Sequence, residues 1–271
     1  MIDKDRLDDD GRYEFAVSVI REAGDLALRF FDNLKDLVIE KKGHQDLVSQ
    51  ADKEVELYIR ESLGKAFPED QIIGEEGGNS MPSDSQKSEF VWVIDPIDGT
   101  ANFVSGIPAW CVVIALVHRN SVVVGLILDP VRNELFEGLA GVGSFLNHKP
   151  ISVSKSQSLS DGSVAVGFSN RSKPGFINRL VNLIVDDGGV FYRNASGALS
   201  LAYVAAGRLI GYSEDHMNAW DYLAGQLMVK EAGGQIEEQD VSSVLIRGGR
   251  VVAAAPGVFD DIQRFTDISM T

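Results

Sequence analysis

Residues 92–103 read Trp-Val-Ile-Asp-Pro-Ile-Asp-Gly-Thr-Ala-Asn-Phe, and the organisation of the chain can be worked outward from this segment. The near-continuous apolar run Phe90–Ile94 is typical of a strand that is buried on both faces. We predict that this strand ends at Asp95, because Pro96 cannot donate a hydrogen bond to a neighbouring strand. A new element, which we expect to be a helix, then begins at residues 98–100.

Two carboxylates three residues apart, Asp95 and Asp98, follow this buried strand. Held close together away from water, both resist ionisation unless a cation lies between them. Hard oxygen ligands on a rigid turn suit Mg²⁺ or Mn²⁺, and the N–H groups of Gly99 and Thr100 at a helix N-terminus suit an anion. One alternative is a turn in which Asp98 only caps a helix. Another is the Asp-x-Asp pattern of aspartyl-phosphate phosphatases, whose closer aspartate spacing this segment does not have.

Three further acidic segments lie elsewhere in the chain. Glu75 stands in the turn Gly-Glu-Glu-Gly at 74–77, after a short apolar strand, and Asp221 falls in the first turn of an amphipathic helix. Asp52 lies near the start of another predicted helix. Each has a local alternative: a solvated turn for Glu75, interaction with the helix dipole for Asp221, and capping of its own helix for Asp52.

The apolar spacing predicts helices at Tyr13–Phe31 and Leu47–Leu63, and a hairpin of strands at 111–117 and 122–128. Polar residues at 79–88 are typical of an exposed loop. After about residue 150, short strands alternate with helices, and no linker separates the two parts. The pattern predicts an α/β (α+β) protein with layered helices and sheets.

The composition limits the possible functions. The chain has 271 residues and a formal net charge of −15, so we expect it to bind neither nucleic acid nor an anionic membrane. The longest segment without a charged residue, 99–117, contains Gly106 and Pro108, which argue against a transmembrane helix. With the single cysteine Cys111, no signal peptide and no internal disulfide, we expect a cytoplasmic protein.

The acidic segments together, in their order and separation, resemble the inositol monophosphatase family of metal-dependent, lithium-sensitive sugar phosphatases, in its bacterial form. The resemblance covers nearly the whole chain, from the first predicted helix to about residue 255. It rests on four pieces of sequence: Gly74-Glu75-Glu76, Asp95-Pro-Ile-Asp-Gly-Thr100 with Asn102-Phe103, Trp220-Asp221, and Glu231-Ala-Gly-Gly234.

The resemblance implies a layered α-β-α-β-α sandwich formed by one catalytic domain over residues 10–265. Its front half, 1–150, would carry most metal ligands, and its back half, 151–271, would carry Glu214 and Asp221. The implied ligands of two or three Mg²⁺ ions, which Mn²⁺ can replace, are Glu75, Asp95, the carbonyl of Ile97, Asp98 and Asp221. The implied catalytic residues are Glu75, Thr100 and Asp52. The implied substrate contacts are Asp98, Gly99, Thr100, Ala101, Gly197, Ala198, Glu214 and Asp221.

The resemblance also implies the reaction: hydrolysis of myo-inositol monophosphate, or a similar small polyol phosphate, by a metal-activated water and without a phosphoenzyme. Histidinol-phosphate phosphatase, fructose-1,6-bisphosphatase and 3′(2′),5′-bisphosphate nucleotidase of the same family are the enzyme alternatives. Asn102-Phe103 favours the inositol type over the nucleotide type, and residues 196–199 depart from the Gly-Thr-Ala that the family often has there. The family implies a homodimer, and a regulatory protein that binds a partner of transcription complexes is the alternative outside enzymology.

Overall fold

A computed structural model describes residues 11–43, 46–80, 89–168 and 171–271, and the segment 81–88 of the expected polar loop lies outside them. The described helices are α1 (Arg12–Phe31), α2 (Gln50–Ala66), α3 (Thr100–Val104), α4 (Phe176–Asp186), α5 (Gly197–Ala205), α6 (Ala219–Glu231), α7 (Val241–Arg247) and α8 (Phe259–Met270). The described strands are β1 (Ile39–Gly43), β2 (Asp46–Ser49), β3 (Gln71–Gly74), β4 (Gly78–Ser80), β5 (Phe90–Asp98), β6 (Cys111–His118), β7 (Ser121–Asp129), β8 (Glu134–Leu139), β9 (Gly143–Leu146), β10 (Lys149–Pro150), β11 (Ser163–Val166), β12 (Val190–Tyr192), β13 (Gly211–Met217), β14 (Gln235–Ile236) and β15 (Gly249–Ala254). None of the helices among these residues is long and apolar enough to cross a membrane.

The strands form one large sheet, one smaller sheet and a separate β1–β2 hairpin. The large sheet has the order β10-β9-β8-β7-β6-β5-β3-β4 and the smaller one the order β12-β11-β13-β15-β14. In the large sheet β5 pairs in parallel with β3 and antiparallel with β6. The side chains of β5 alternate between its two faces, with Trp92 and Ile94 in one apolar cluster and Val93 in another. Burial on both faces explains the near-continuous apolar run in this segment.

Helices and sheets alternate in five layers. Helices α1 and α2 pack on one face of the large sheet, and α5 and α6 fill the space between the two sheets. Helices α4 and α8 cover the outer face of the smaller sheet. This arrangement confirms the expected α-β-α-β-α sandwich.

The prediction that the central strand ends at Asp95 is wrong, because β5 continues to Asp98. Asp95 pairs with Val113 and Asp98 with Cys111, so three steps along β5 match two along β6. The strand therefore contains one extra residue, a β-bulge, and Pro96 lies inside this irregularity, where a missing N–H is tolerated. In a regular strand, side chains three residues apart point to opposite faces. The bulge lets both aspartates approach the same side.

The second predicted helix also differs from the structure. It begins at Gln50 rather than Leu47, because residues 46–49 form strand β2, which pairs antiparallel with β1. Ser49 is the N-cap of α2 and accepts hydrogen bonds from the backbone N–H groups of Ala51 and Asp52. The tertiary pairing of a hairpin thus overrides an apolar spacing that also fits a helix.

Candidate active site

Three carboxylates from distant parts of the chain meet at the carboxyl end of β5. Asp95 and Asp98 come from the bulged end of this strand, and Asp221 comes from the first turn of α6. One carboxylate oxygen of each lies within 4.8 Å of the others. This set offers only hard oxygen donors, the kind of ligand that Mg²⁺ and Mn²⁺ prefer.

Asp221 is held in place by the packing of α6. The backbone N–H of Asn218, the residue before the helix, donates to Asp221 Oδ2 over 3.1 Å. The helix lies directly against the large sheet where two strands carry glycine. A Cβ added to Gly125 would lie 2.6 Å from the carbonyl oxygen of Ala224, and one added to Gly138 would lie 2.8 Å from Cγ of Met228. These close approaches fix the distance between α6 and strands β7 and β8 of the large sheet.

The acidic cluster carries strong mutual repulsion. Burial, and then the charges of Glu75, Asp98 and Asp221, raise the pKa of Asp95 well above its usual range. Burial and the charge of Asp98 raise the pKa of Asp221 to about 7. A divalent cation between these groups would remove the repulsion and favour their ionised forms.

Asp98 connects the two halves of the chain. Its Oδ2 accepts hydrogen bonds from Ser196 Oγ at 2.6 Å and from the backbone N–H of Ala198 at 2.8 Å, both at the N-terminus of α5. Burial raises the pKa of Asp98, and these hydrogen bonds partly oppose that rise. The alternative in which Asp98 only caps the helix after it is wrong, because Gly99, with φ of 98°, is the N-cap of α3.

Glu75 lies in the turn between β3 and β4, beside the three-carboxylate cluster. It is half-buried and is not among the three residues whose oxygens converge within 4.8 Å. Its charge is nevertheless the largest contribution after burial to the raised pKa of Asp95. The structure therefore brings Glu75 to the edge of the cluster.

Thr100 and Asp52 meet beneath the same cluster. The Thr100 hydroxyl lies 3.1 Å from Oδ1 of Asp52 and 3.1 Å from the carbonyl oxygen of Ile97, and its one proton serves either acceptor. Asp52 also accepts from the backbone N–H of Ser49 at 2.8 Å, so it caps its own helix as well. Burial raises the pKa of Asp52, and the hydrogen bonds from Ser49 and Thr100 oppose that rise.

A cavity of about 150 Å³ opens beside the cluster. Of the predicted substrate contacts, the ones that line it are Asp98, Gly197, Glu214 and Asp221. Gly99, Thr100 and Ala101 lie outside this wall, at the start of α3. Ala198 also lies outside it, fully buried, with its N–H bound to Asp98.

Glu214 stands in the cavity wall among groups that the sequence interpretation missed. Burial and the charge of Asp221 raise its pKa to about 8, while a hydrogen bond from Tyr212 and the charge of Arg193 act in the opposite direction. The Tyr212 hydroxyl donates to Oε2 over 2.5 Å, and both Tyr212 and Arg193 line the cavity.

Basic side chains therefore do face the acidic site, although the acidic segments themselves contain none. The charge of Arg193 acts on Glu214, and the charge of Arg171 lowers the pKa of Asp221. Both arginines come from segments without a regular apolar pattern, so no local signal distinguished them from solvated residues. Ser196 had a findable signal, since a serine directly before an apolar helix is a typical N-cap.

Asn102 joins the front of the site to the back. Its side-chain amide donates to the carbonyl oxygens of Ala109 and Asn194, each at 2.6 Å. Asn194 lies in the segment that leads into α5 and lines the cavity. Asn102 thus has a structural role here, whatever the substrate.

Comparisons with known proteins bear on the family and the fold of this chain. A model of the inositol monophosphatase family matches residues 8–265. The Nus factor SuhB of Haemophilus influenzae is 35% identical over 250 residues, which cover 91% of this chain and 92% of that protein. The crystal structure of the extragenic suppressor protein suhB from Bartonella henselae superposes with a TM-score of 0.87 at 32% identity, covering 94% of this chain and 97% of that one. The Thermotoga maritima IMPase superposes with a TM-score of 0.84 at 28% identity, covering 95% of this chain and 97% of that one.

Proposed function

The chain belongs to the inositol monophosphatase family, and we propose that it is a Mg²⁺-dependent phosphomonoesterase acting on myo-inositol monophosphate or a similar small polyol phosphate. The observation that carries this proposal is the junction of two features. A cluster of three carboxylates, which suits divalent cations, shares Asp98 and Asp221 with the wall of a small polar cavity. The cluster suits the phosphate end of the substrate, and the cavity suits a hydroxylated body.

The donor set fits the metal that the family implies. Oxygen ligands from Glu75, Asp95, the carbonyl of Ile97, Asp98 and Asp221 would hold two or three Mg²⁺ ions, or Mn²⁺ in their place. The raised pKa values of Asp95 and Asp221 support this assignment, because they show that buried carboxylates repel one another here, and a cation between them would relieve that repulsion. Bound ions would offset the charge of the phosphate and make a water molecule nucleophilic at neutral pH.

The side chains around the cluster would handle the proton and the phosphate. We assign Glu75 the role of accepting a proton from the attacking water, with Thr100 orienting that water. When the Thr100 hydroxyl donates to Asp52 Oδ1 rather than to the carbonyl of Ile97, its oxygen stays available to accept a hydrogen bond from that water. The first helical hydrogen bonds of α3 come from the N–H groups of Asn102 and Phe103. The N–H groups of Gly99, Thr100 and Ala101 precede them and are assigned to the phosphate oxygens.

The cavity wall would recognise the polyol. Glu214, Asp221 and Asp98 present carboxyl groups that pair with vicinal hydroxyls, and Gly197 leaves room for the ring. A Cβ on Gly197 would lie 2.3 Å from the methyl carbon of Met217, so a larger residue would disturb this wall. Ala198 is assigned an indirect role, since its N–H positions Asp98.

A substrate panel tests this proposal. Phosphate release is measured with inositol 1-phosphate, histidinol phosphate, fructose 1,6-bisphosphate and adenosine 3′,5′-bisphosphate in Mg²⁺, each with and without Li⁺. We expect the highest kcat/KM on inositol 1-phosphate, and inhibition by Li⁺. A higher kcat/KM on any of the other three would move the chain to that branch of the family, and no release from any of them would refute the phosphatase proposal.

A second candidate function is a binding role in transcription, and the name Nus factor SuhB of the relatives favours it. An acidic surface on a chain of net charge −15 complements a basic face of a partner protein. The test is cosedimentation of the purified chain, or of its Asp95→Asn variant, with a purified transcription complex. Cosedimentation of both forms supports a role independent of catalysis, and cosedimentation of neither form excludes it.

We also propose that the chain acts in the cytoplasm as a homodimer of single catalytic domains. Strand β12 is an edge of the smaller sheet, and its side chains Val190, Phe191 and Tyr192 are 61%, 48% and 36% exposed. An exposed apolar edge strand is a liability that a second copy would cover. Sedimentation equilibrium is expected to give twice the chain mass, and Phe191→Glu is expected to shift it toward the monomer; a monomeric wild-type chain would overturn this proposal.

A further inference from the structure

A second buried carboxylate lies one helical turn beyond Asp52. Glu56 is in α2, four residues later, and is only 1% exposed. Residues four apart in a helix lie on the same face, so Asp52 and Glu56 both point from α2 toward the catalytic edge of the large sheet. None of the roles assigned above uses Glu56.

Both oxygens of Glu56 are bound to the turn that carries Glu75. Oε2 accepts the backbone N–H of Glu76 at 2.8 Å, and Oε1 accepts the backbone N–H of Gly77 at 2.6 Å. Oε1 also accepts Nε of Arg60 at 2.7 Å. Arg60 in turn donates to the carbonyl oxygen of Ile72 in β3, over 3.4 Å. Side chains of α2 thus hydrogen-bond both to strand β3 and to the turn after it.

The glycines of the Gly-Glu-Glu-Gly turn allow its backbone to approach Glu56 and Arg60 closely. A Cβ added to Gly74 would lie 2.7 Å from Nη2 of Arg60 and 2.8 Å from Oε1 of Glu56. A Cβ added to Gly77 would lie 2.8 Å from Nε of Arg60 and 2.8 Å from the same carboxylate oxygen. The turn closes directly onto the ion pair because both positions lack a side chain. The local alternative of a solvated turn at residues 74–77 therefore does not describe this segment, because its backbone binds a buried carboxylate.

We propose that Glu56, held by Arg60, is a positioning residue that fixes the 75–77 backbone and thereby places the Glu75 carboxylate at the acidic cluster. Helix α2 then orients two groups of the site at once: Thr100 through Asp52, and Glu75 through Glu56. The part of this inference that concerns turnover rests on the proposed phosphatase function. The part that concerns the Glu75 turn and metal affinity does not.

Glu56→Gln tests this assignment. The amide keeps one acceptor oxygen, and its NH₂ group faces backbone donors, so the turn should loosen. In metal-free protein we expect faster hydrogen–deuterium exchange at the N–H groups of Glu76 and Gly77. Because residues that orient a metal ligand typically contribute about 10- to 100-fold to metal affinity or activity, Mg²⁺ affinity measured by calorimetry and kcat should fall by about that factor. KM should change by less than about threefold, because the cavity wall comes from other elements.

Glu137→Gln is the matched control. Glu137 is also fully buried and accepts the Tyr13 hydroxyl at 2.6 Å and the backbone N–H of His148 at 3.0 Å, two partners that lie outside the proposed site. This variant should lower the melting temperature while leaving Mg²⁺ affinity unchanged. Gly77→Ala changes the turn itself: its added Cβ would push against Glu56 and Arg60, so it should reproduce the Glu56→Gln result. The control for this variant is Gly64→Ala in α2, where an added Cβ meets nothing within 4 Å.

The outcomes separate the two proposals. Wild-type Mg²⁺ affinity and kcat in a folded Glu56→Gln protein would overturn the positioning role. Should that variant not fold, the same result with Gly77→Ala would overturn it instead. Reduced Mg²⁺ affinity in both variants, with no phosphate released from any substrate by the wild type, would refute the phosphatase function and leave the positioning role standing.

Discussion

Three carboxylates of the site each accept a backbone N–H at the start of a helix. Asp52 binds the N–H of Ser49 before α2, Asp98 binds that of Ala198 in α5, and Asp221 binds that of Asn218 before α6. The partial positive charge at three helix N-termini thus opposes the repulsion among the carboxylates of the site. Asp52 and Asp221 each cap a helix and also lie at the proposed active site. Their local sequence therefore could not distinguish a capping residue from a residue of the site.

Substitutions at Glu214 and Asp221 should separate specificity from chemistry. Asp221→Asn removes a carboxylate that we propose binds the metal directly, so kcat should fall on every substrate by more than the roughly 100-fold that loss of a group supporting a ligand can cause. We propose that Glu214 contacts the polyol and not the metal, and Gln keeps an oxygen that can accept from Tyr212. A lost contact to a polyol hydroxyl is worth about 0.5–1.5 kcal/mol, so with Glu214→Gln kcat/KM on inositol 1-phosphate should fall by about 2- to 13-fold. Glycerol 2-phosphate, a flexible substrate, should respond less to Glu214→Gln. Equal losses from both variants on both substrates would place Glu214 in the catalytic machinery.

The raised pKa of Glu214 also predicts a pH dependence of stability in chelator. This carboxyl titrates at about 8 in the folded chain against 4.5 in a model peptide. Between pH 4.5 and about 8 the folded chain holds a proton on Glu214 that the unfolded chain has lost. The contribution of this group to the free energy of unfolding is therefore present at low pH and is lost as the pH rises toward 8. Urea unfolding in EDTA should therefore show wild-type stability falling more steeply with pH than that of Glu214→Gln. Parallel curves for the two proteins would contradict the buried position of this carboxyl.

At the scale of single elements, the bulge in β5 explains what the sequence could predict and what it could not. The apolar run predicted the strand, and the two aspartates predicted the chemistry. The strand end was misplaced because a bulge depends on register with β6, which no local pattern contains. The start of α2 was misplaced for a similar reason, since β2 exists only through its pairing with β1.

The contact between α6 and the large sheet should be intolerant of added volume. Gly125→Ala would place a Cβ 2.6 Å from a backbone carbonyl of α6, which cannot move as a side chain can. Overpacking of this kind typically destabilises by about 1–3 kcal/mol, and it should also displace Asp221. Unfolding by urea measures the first effect and Mg²⁺ affinity the second. Gly64→Ala, with open space around it, serves as the control, and a Gly125→Ala protein with unchanged values in both measurements would contradict the packing described.

At the scale of the whole molecule, the site exists only where the halves meet. Asp98 from the front half binds Ser196 and Ala198 from the back half, and Asn102 reaches Asn194. The family resemblance predicted the five layers and the acidic ligands, because short motifs carry them. Arg171, Arg193 and Tyr212 enter through tertiary packing alone, so spacing along the chain could not reveal them.

Because the cluster joins both halves, Mg²⁺ should stabilise the whole chain. At a concentration 100 times the dissociation constant, binding to the folded state alone contributes about 2.7 kcal/mol. For a chain of this size that corresponds to a rise in melting temperature of roughly 5–10 °C. Differential scanning calorimetry should show one transition that moves as a unit. A transition that splits in two would contradict a single domain, and one that Mg²⁺ does not shift would contradict a preformed site.

Metal-dependent phosphatase activity at the three-carboxylate cluster can be tested in a single titration. Phosphate release from inositol 1-phosphate is measured as free Mg²⁺ is varied, for the wild type and for Asp95→Asn, with an arm in excess EDTA. We predict activity that rises with Mg²⁺, disappears in EDTA and is restored by added Mg²⁺, and an Asp95→Asn protein that folds but is nearly inactive at every Mg²⁺ concentration. Full release in excess EDTA, or wild-type activity in Asp95→Asn, would contradict metal-dependent activity at this cluster.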